Sequence, residues 1–429
     1  MEISTRLRGW SLARVLAFLV LSGCGAIELM DTPTLFTKSK SNPFRDVPAE
    51  FRTNKVEVLY VTDRTPVEQE GSTVEYTHGR SPSLAYGTCT VEIGKDVSWE
   101  VLVENSLARK RSRSLPLALR ETRELGRFPE TPFPLVVVDE EVRDDPTVVA
   151  DHKAMEESFQ QEVRKRLEMT PLKEAFVFIH GVNCKFEGAA ILIAQVWHYL
   201  GREGVPIAYT WPAAIGGARG YFYDRESGEF TVHHLKQFLR MLSACEDLEK
   251  IHIISHSRGA AVGTSAIREL FIEAKAGGRD PMTEFKIGHL ILIAPDMDLE
   301  VVGQRITAER VFLAVEKLTV YVSQGDRAIG FTSIWFRSHQ RLARLRPEDL
   351  SEKQRTRIRR TSRIDIIDVT APTGFTGHSY FYTSPEVSSD LILLLRDGKE
   401  PGAANGRPLI YRGGNFWELP EGYPTAKAD

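Results

Sequence analysis

Cysteine is scarce in this chain, with four in 429 residues. No CxxC pair occurs and no cysteine–histidine cluster has zinc spacing, so neither a structural metal nor a disulfide framework organises the fold. Charge of one sign is also missing. Lys and Arg total 55 against 58 Asp and Glu, leaving −3, which gives no global field for nucleic acid. There is no P-loop, and the glycine-rich "IGGARG" does not follow a strand with the spacing of a dinucleotide fingerprint. No metal and no cofactor is implied. Internal repeats are absent, and the N-terminal apolar run falls far short of the ~20 residues of a membrane-spanning helix. What remains is 42% hydrophobic and 26% charged residues, enough for a large globular core.

The N-terminus reads as an export signal. Arg6, Arg8 and Arg14 precede or open a short apolar stretch from Val15 to Leu21, and Leu21-Ser22-Gly23-Cys24 follows. The last four residues resemble the bacterial lipobox, in which cleavage leaves a lipidated cysteine. Residues 1–23 are therefore expected to be a lipoprotein-type signal peptide. Cys24 is the lipidation site, holding the protein on a membrane surface of the cell envelope without spanning it. Residues 24–54, with Pro33, Pro43 and Pro48, read as a tether.

From Val56 the pattern becomes β-rich. "VLYVTDR", "YGTCTVEIG" and "WEVLVEN" are strand candidates, and "PLVVVD" is a buried-strand candidate in a stretch rich in proline and charge. These make residues 55–147 an N-terminal β-rich extension. Met155, Phe159, Val163 and Leu167 then recur every four residues and draw one apolar helical stripe. Beyond them strands and helices alternate. Strands are read at 175–180, 206–211, 250–255 and 364–369, in "IGHLILIAP" and in "KLTVYVS"; helices are read near 187–200, 231–245, after Ser257 and at 387–395. Apolar strands separated by helices predict an α/β fold with a mostly parallel, doubly wound sheet over 55–397. Between Arg337 and Arg363 lies a basic stretch containing "RTRIRRTSR", read as a solvated helical insertion or, on a membrane-bound protein, a contact for anionic headgroups. The tail, 398–429, is rich in glycine and proline and is expected to wrap the surface or be partly disordered, unless Tyr411, Phe416 and Trp417 pin it.

The most informative stretch is "HIISHSRGAAVG", residues 252–263. A β-type run stops at Ser257 and small residues follow. The G-x-S-x-G pattern of a nucleophile elbow is met as Ser255-His256-Ser257-Arg258-Gly259, with serine in place of the first glycine. A serine hydroxyl needs a base. His252 and His289 lie in strand patterns and His233 and His234 on a helix, whereas His378 sits in the glycine-flanked loop "TGFTGHSYF" after the last strand of the pattern. The base needs a carboxylate to orient it. Asp326 and Asp296 both follow strands, and Asp326 is favoured because it follows the seventh strand, giving the order Ser257, Asp326, His378. The N–H groups of Arg258 and of Val182, in "FIHGVN", are the expected oxyanion donors. His180 is read as holding that loop.

With these residues in place, the chain resembles a bacterial α/β-hydrolase family of unknown function within the esterase/lipase superfamily. The resemblance is carried by "FVFIHGVNCKFEGAA", "YTWPA", "GYFYDRESGEF", "IHIISHSRG", "ILIAPDMD", "VYVSQGDRAIG" and "TGHSYF", together with "VLYVTDR" and "YGTCTVEI". It departs from that family where Cys184 stands in place of a second asparagine and Arg258 in place of methionine, which would put a guanidinium near the mouth of the site. The resemblance implies an α/β-hydrolase fold and the triad Ser257, Asp326 and His378, and it carries no substrate. The favoured reading is a membrane-tethered serine hydrolase acting on carboxylic esters, small-molecule or lipid. The loop from Pro212 to Phe230, with Tyr221, Phe222 and Tyr223, is read either as walling the acyl pocket or as structural. Two other readings use the same fold: a catalytically silent envelope scaffold, and an acyltransferase.

Overall fold

The computed structural model describes residues 27–39, 41–67, 73–329, 340–373 and 377–424. Cys24 and the signal segment lie outside them. The strands are β1 (Ile27–Glu28), β2 (Lys55–Val67), β3 (Glu75–Ile93), β4 (Pro116–Arg127), β5 (Leu135–Val138), β6 (Glu141–Asp144), β7 (Glu174–Ile179), β8 (Val205–Thr210), β9 (Lys250–His256), β10 (Ile287–Ile293), β11 (Lys317–Val322), β12 (Ile364–Val369), β13 (Ile410–Gly413) and β14 (Phe416–Leu419). Twelve of them form one sheet in the order β1-β4-β3-β2-β8-β7-β9-β10-β11-β12-β14-β13. From β2 to β14 neighbouring strands run parallel; β1, β3, β4 and β13 add antiparallel edges.

The longer helices are α1 (Thr34–Lys38), α2 (Trp99–Leu107), α3 (Pro146–Glu168), α4 (Phe186–Tyr199), α5 (Gly217–Ser243), α6 (Arg258–Ala276), α7 (Glu352–Arg359) and α8 (Pro385–Leu395). Both faces of the sheet are covered, and alternate residues of one strand serve different layers. In β7, Ala175, Val177 and Ile179 pack with Phe159 of α3, Phe238 of α5 and Ala260 of α6. Phe176 and Phe178 pack on the other side with Ile193 of α4 and Leu391 of α8. A strand buried on both faces must be apolar throughout, which is why "AFVFI" shows no alternation.

Four expectations are corrected here. "WEVLVEN" is helical: Ser98 caps α2 by accepting from Val101 N–H, and Leu102, Asn105 and Ser106 form its buried face. "PLVVVD" is a strand but not a buried one. β5 pairs only with β6, in a hairpin outside the main sheet, and Leu135 and Val137 are 66% and 73% exposed. The tether is part of the fold from Ile27 onward. Leu29, Met30, Phe36, Phe44 and Val47 are buried in the layer that holds α4 and α8. The tail supplies β13 and β14, and Phe416 and Leu419 are core residues. Among the described residues, no helix is long and apolar enough to cross a membrane.

Candidate active site

Ser257 stands between β9 and α6 with φ 55° and ψ −121°. A non-glycine residue in this region is strained and persists only where its surroundings hold it. They do so from two sides. Ser257 N–H donates to Ile293 O at 2.9 Å, while Ser257 O accepts from Asp296 N–H at 3.1 Å and from Ala260 N–H at 3.1 Å. The small residues of the motif follow from crowding. A Cβ on Gly259 would stand 2.5 Å from Ile179 O, and one on Gly181 would stand 2.8 Å from Ser257 Cβ. Ser255, in place of the usual first glycine, is fully buried, and its Oγ would lie 2.9 Å from a Cβ on Gly263.

Asp326 follows β11, and its side chain is buried. Oδ1 accepts from Ile329 N–H at 2.9 Å, and Oδ2 accepts from His378 Nδ1 at 2.7 Å. Because Nδ1 donates to the carboxylate, Nε2 is the ring nitrogen left with the lone pair. The His378 side chain is 17% exposed. Its loop is seated against the acid, since a Cβ on Gly377 would stand 3.1 Å from Asp326 Cα. It is also seated against the elbow: His256, directly before Ser257, donates from Nε2 to His378 O at 3.1 Å, and the two rings are 4.9 Å apart. Burial, with the His378 ring beside it, pushes the His256 pKa down to about 3. It is thus a neutral brace at ordinary pH. Three distant segments, ending β9, β11 and β12, meet at one rim of the sheet.

The other strand-end carboxylate is occupied differently. Asp296 Oδ2 accepts from Tyr221 OH at 2.5 Å, and Oδ1 lies 3.3 Å from Arg341 Nη1. Burial first, then Asp296, pushes the Tyr221 pKa upward. The structure therefore places Asp326, and not Asp296, on the His378 ring. Tyr221, Phe222 and Tyr223 belong to α5, which begins at Gly217, so the expected loop wall is corrected to a helix. Tyr221 OH donates to Asp296, Phe222 is 47% exposed, and Tyr223 OH donates to His78 O. The Arg258 side chain is largely buried, with Nη2 3.4 Å from Glu229 Oε1 on α5.

The loop carrying Val182 is braced by Arg64, Trp211 and Asp224, which the sequence reading did not single out, together with His180. Arg64, fully buried at the top of β2, donates from Nε to Thr210 Oγ1 at 2.8 Å and from Nη1 to Ala213 O at 2.9 Å. Its Nη2 donates to Cys184 O at 2.7 Å and to His180 Nε2 at 3.3 Å. The acceptor role of Nε2 leaves Nδ1 as the protonated nitrogen of His180, and it donates to Gly181 O at 2.7 Å. His180 stacks on Trp211 at 4.9 Å, and Trp211 Nε1 donates to His180 O at 2.8 Å. Burial and the Arg64 charge push the His180 pKa down to about 3. From the other side, Asp224 of α5 accepts from Asn183 N–H at 2.7 Å. Val182 is thus flanked by fixed residues, and Arg258 N–H is among the first of α6, where N–H groups have no partner within the helix. The signal that pointed to Arg64 was present: a charged pair, Asp63-Arg64, stands inside β2 just after the apolar run Val58–Val61.

Among the described residues no group of His, Cys, Asp or Glu is gathered as a metal site, and Cys89, Cys184 and Cys245 are free thiols. A solved structure of a candidate cell surface hydrolase from Lactobacillus plantarum aligns with a TM-score of 0.30 at 11% identity, over 56% of this chain and 98% of that one. One of a candidate hydrolase from Agrobacterium vitis aligns with a TM-score of 0.28 at 13% identity, over 52% and 86%. No curated protein matches the chain. The family model described as alpha/beta hydrolase of unknown function (DUF900) matches residues 155–396, more than half of the sequence and the span that contains Val182, Ser257, Asp326 and His378. The chain belongs to that alpha/beta-hydrolase family.

Proposed function

We propose that the protein is a serine hydrolase of carboxylic esters, held at the cell envelope by lipid on Cys24. The observation that carries the reading is the 2.7 Å pair of His378 and Asp326, seated through His256 against a strained serine at a strand-to-helix turn. His378 Nε2 takes the proton of Ser257 Oγ as the oxygen attacks the acyl carbon. Asp326 keeps the ring in the Nδ1–H tautomer and stabilises the imidazolium. The carbonyl oxygen becomes an oxyanion that accepts from the N–H groups of Val182 and Arg258. Collapse of the intermediate breaks the ester C–O bond, and the alkoxide leaves with the proton from His378. Water then gives a proton to His378, attacks the acyl-enzyme and releases the acid, returning the proton to Ser257.

A fluorophosphonate probe tests this on the full chain. The wild-type protein is expected to be labelled and Ser257→Ala is not. Equal labelling of both, or labelling of neither with both folded by circular dichroism, overturns the reading.

A further inference from the structure

The catalytic reading uses only the backbone N–H of Arg258, and the side chain is left to explain. It leaves the first turn of α6 towards α5. A Cβ on Gly228 would stand 3.9 Å from its Nε, and Nη2 lies 3.4 Å from Glu229 Oε1. That carboxylate is a weak partner. The Glu229 side chain is 62% exposed and the Arg258 side chain 13%, and an ion pair with one member in water is screened. Arg258 Nε is buried and has no hydrogen-bond partner among the described residues. Other arginines of this chain with much of their side chain buried are gripped at two points. Arg268 donates from Nε and Nη2 to Glu309 at 2.6 and 2.7 Å, and Arg407 donates from the same atoms to Asp390 at 2.8 and 2.6 Å. A guanidinium is shaped for such two-point contact with a carboxylate.

The position of Arg258 adds to the imbalance. The N-terminus of α6 is the positive end of a helix dipole, and its first turn holds no acidic residue. A cation there works against the helix, the kind of local conflict that functional sites retain. Its field also reaches across the rim. Burial and Asp296 push the Tyr221 pKa up, and the charges of Arg258 and Arg341 oppose them. Arg258, Tyr221 and Arg341 thus share one corner, and Asp296 ties that corner to the elbow by donating its N–H to Ser257 O. The oxygens of Asp296 are engaged by Tyr221 and Arg341, so its charge does not serve Arg258.

We infer that Arg258 selects esters carrying a second, anionic group, a carboxylate, which displaces Glu229 from the guanidinium. One guanidinium matches the single charge of a carboxylate. The same residue then holds the substrate twice: its N–H meets the carbonyl oxygen and its side chain meets the anion. The two groups are therefore separated by about the length of an arginine side chain, as they are in a half-ester of adipic acid. The reaction rests on the hydrolase reading of Ser257; the anion subsite is read from Arg258 itself.

The test reads preference, not rate. Ethyl hydrogen adipate is compared with ethyl hexanoate on the wild-type chain and on Arg258→Met, which keeps the backbone N–H and an unbranched side chain. The ratio of the two kcat/KM values cancels any loss common to both esters. It is expected to fall by about tenfold to a hundredfold, the worth of a charge-assisted contact. Arg258→Lys, with a point charge in place of the fork, keeps part of the preference. Glu229→Gln removes the competing carboxylate and raises the ratio. The pair δ-acetoxyvalerate and pentyl acetate carries the same comparison to the alcohol side of the ester. Binding of monoethyl adipate to Ser257→Ala, with and without Arg258→Met, is read by calorimetry and involves no chemistry. If the wild-type chain is labelled by a fluorophosphonate, equal ratios in wild type and Arg258→Met for both pairs overturn the inference. If it is not labelled, the hydrolase reading falls, and equal binding by the two Ser257→Ala chains overturns the inference as well. A Glu229→Gln chain that loses stability without a rise in the ratio also overturns it, since the contact is then only a strut between α5 and α6.

Discussion

Replacing Arg64 with methionine is expected to damage catalysis even in the protein that stays folded. The guanidinium is fully buried and spans three segments, joining β2 to Thr210 and Ala213 and to the loop at His180 and Cys184. Methionine fills similar space but leaves the Ala213 and Cys184 carbonyls and the His180 Nε2 without this donor. At ~1–3 kcal/mol for each of the three buried groups left unpaired, the loss is roughly 3–9 kcal/mol. Part of it is returned. Burial pushes the Arg64 pKa down to about 10 from 12.5, so its surroundings disfavour the cation, and removing the charge relieves about 3 kcal/mol. The net stability change is then between about 0 and 6 kcal/mol, and the assay is read on the folded fraction. Nothing compensates the loop, which carries Val182 N–H. Misplacing one oxyanion donor costs about 10²–10³ in kcat. Steady-state hydrolysis of a short-chain nitrophenyl ester, beside urea unfolding of the same preparation, separates the two. The expected result is kcat of the folded protein down by about a hundredfold with KM little changed, whatever the shift in the urea midpoint. A folded Arg64→Met with wild-type kcat refutes the bracing role.

Three further outcomes follow from the same geometry. Asp326→Asn leaves His378 without its carboxylate and is expected to lower kcat by about 10⁴; Asp296→Asn disturbs Tyr221 and Arg341 and is expected to cost at least tenfold less, read in the same assay. Gly181→Ala forces a Cβ to within 2.8 Å of Ser257 Cβ, so fluorophosphonate labelling should fall below detection although circular dichroism reports a folded chain. His180 and His256, each with its pKa pushed by burial to about 3 from 6.5, bind protons more readily unfolded. The stability they allow is complete above pH 6.5 and is lost as pH falls toward 3, at about 1.4 kcal/mol per pH unit for each. Urea midpoints that stay flat over that window would contradict the neutral assignment of both rings.

Legibility tracked burial and periodicity. β7 to β12, α4, α6 and the part of α5 from residue 231 on are apolar runs or clear stripes, and their strand ends place Ser257, Asp326 and His378 on one rim. The failures have separate physical causes. Val101 and Val103 gave "WEVLVEN" an alternating look, but the Ser98 cap and the buried Leu102, Asn105 and Ser106 select a helix. "PLVVVD" has the composition of a core strand and none of its neighbours, because β5 and β6 pair only with each other. Composition cannot report pairing. Residues 217–230 lack an apolar stripe, and the helix there is stabilised by particular polar contacts such as Tyr221 with Asp296 and Asp224 with Asn183. Prolines at 33, 43 and 48 suggested a tether, yet they break a segment whose Leu29, Phe36 and Phe44 are core residues.

Asp296 and Asp326 show why a candidate acid has to be judged by what holds it. Both follow a strand of the parallel sheet, both are buried, and no local pattern in the sequence separates their chemistry. The separation comes from where the lone pairs go. Asp326 has one oxygen fixed by the Ile329 amide and presents the other to His378 Nδ1. A buried carboxylate so arranged can stabilise an imidazolium without moving. Asp296 has its oxygens engaged by a tyrosine hydroxyl and a guanidinium, while its backbone N–H donates to the Ser257 carbonyl. That contact holds the elbow in its strained conformation. The two aspartates therefore serve one rim in different ways: Asp326 fixes the ring of His378, and Asp296 anchors the turn that carries Ser257.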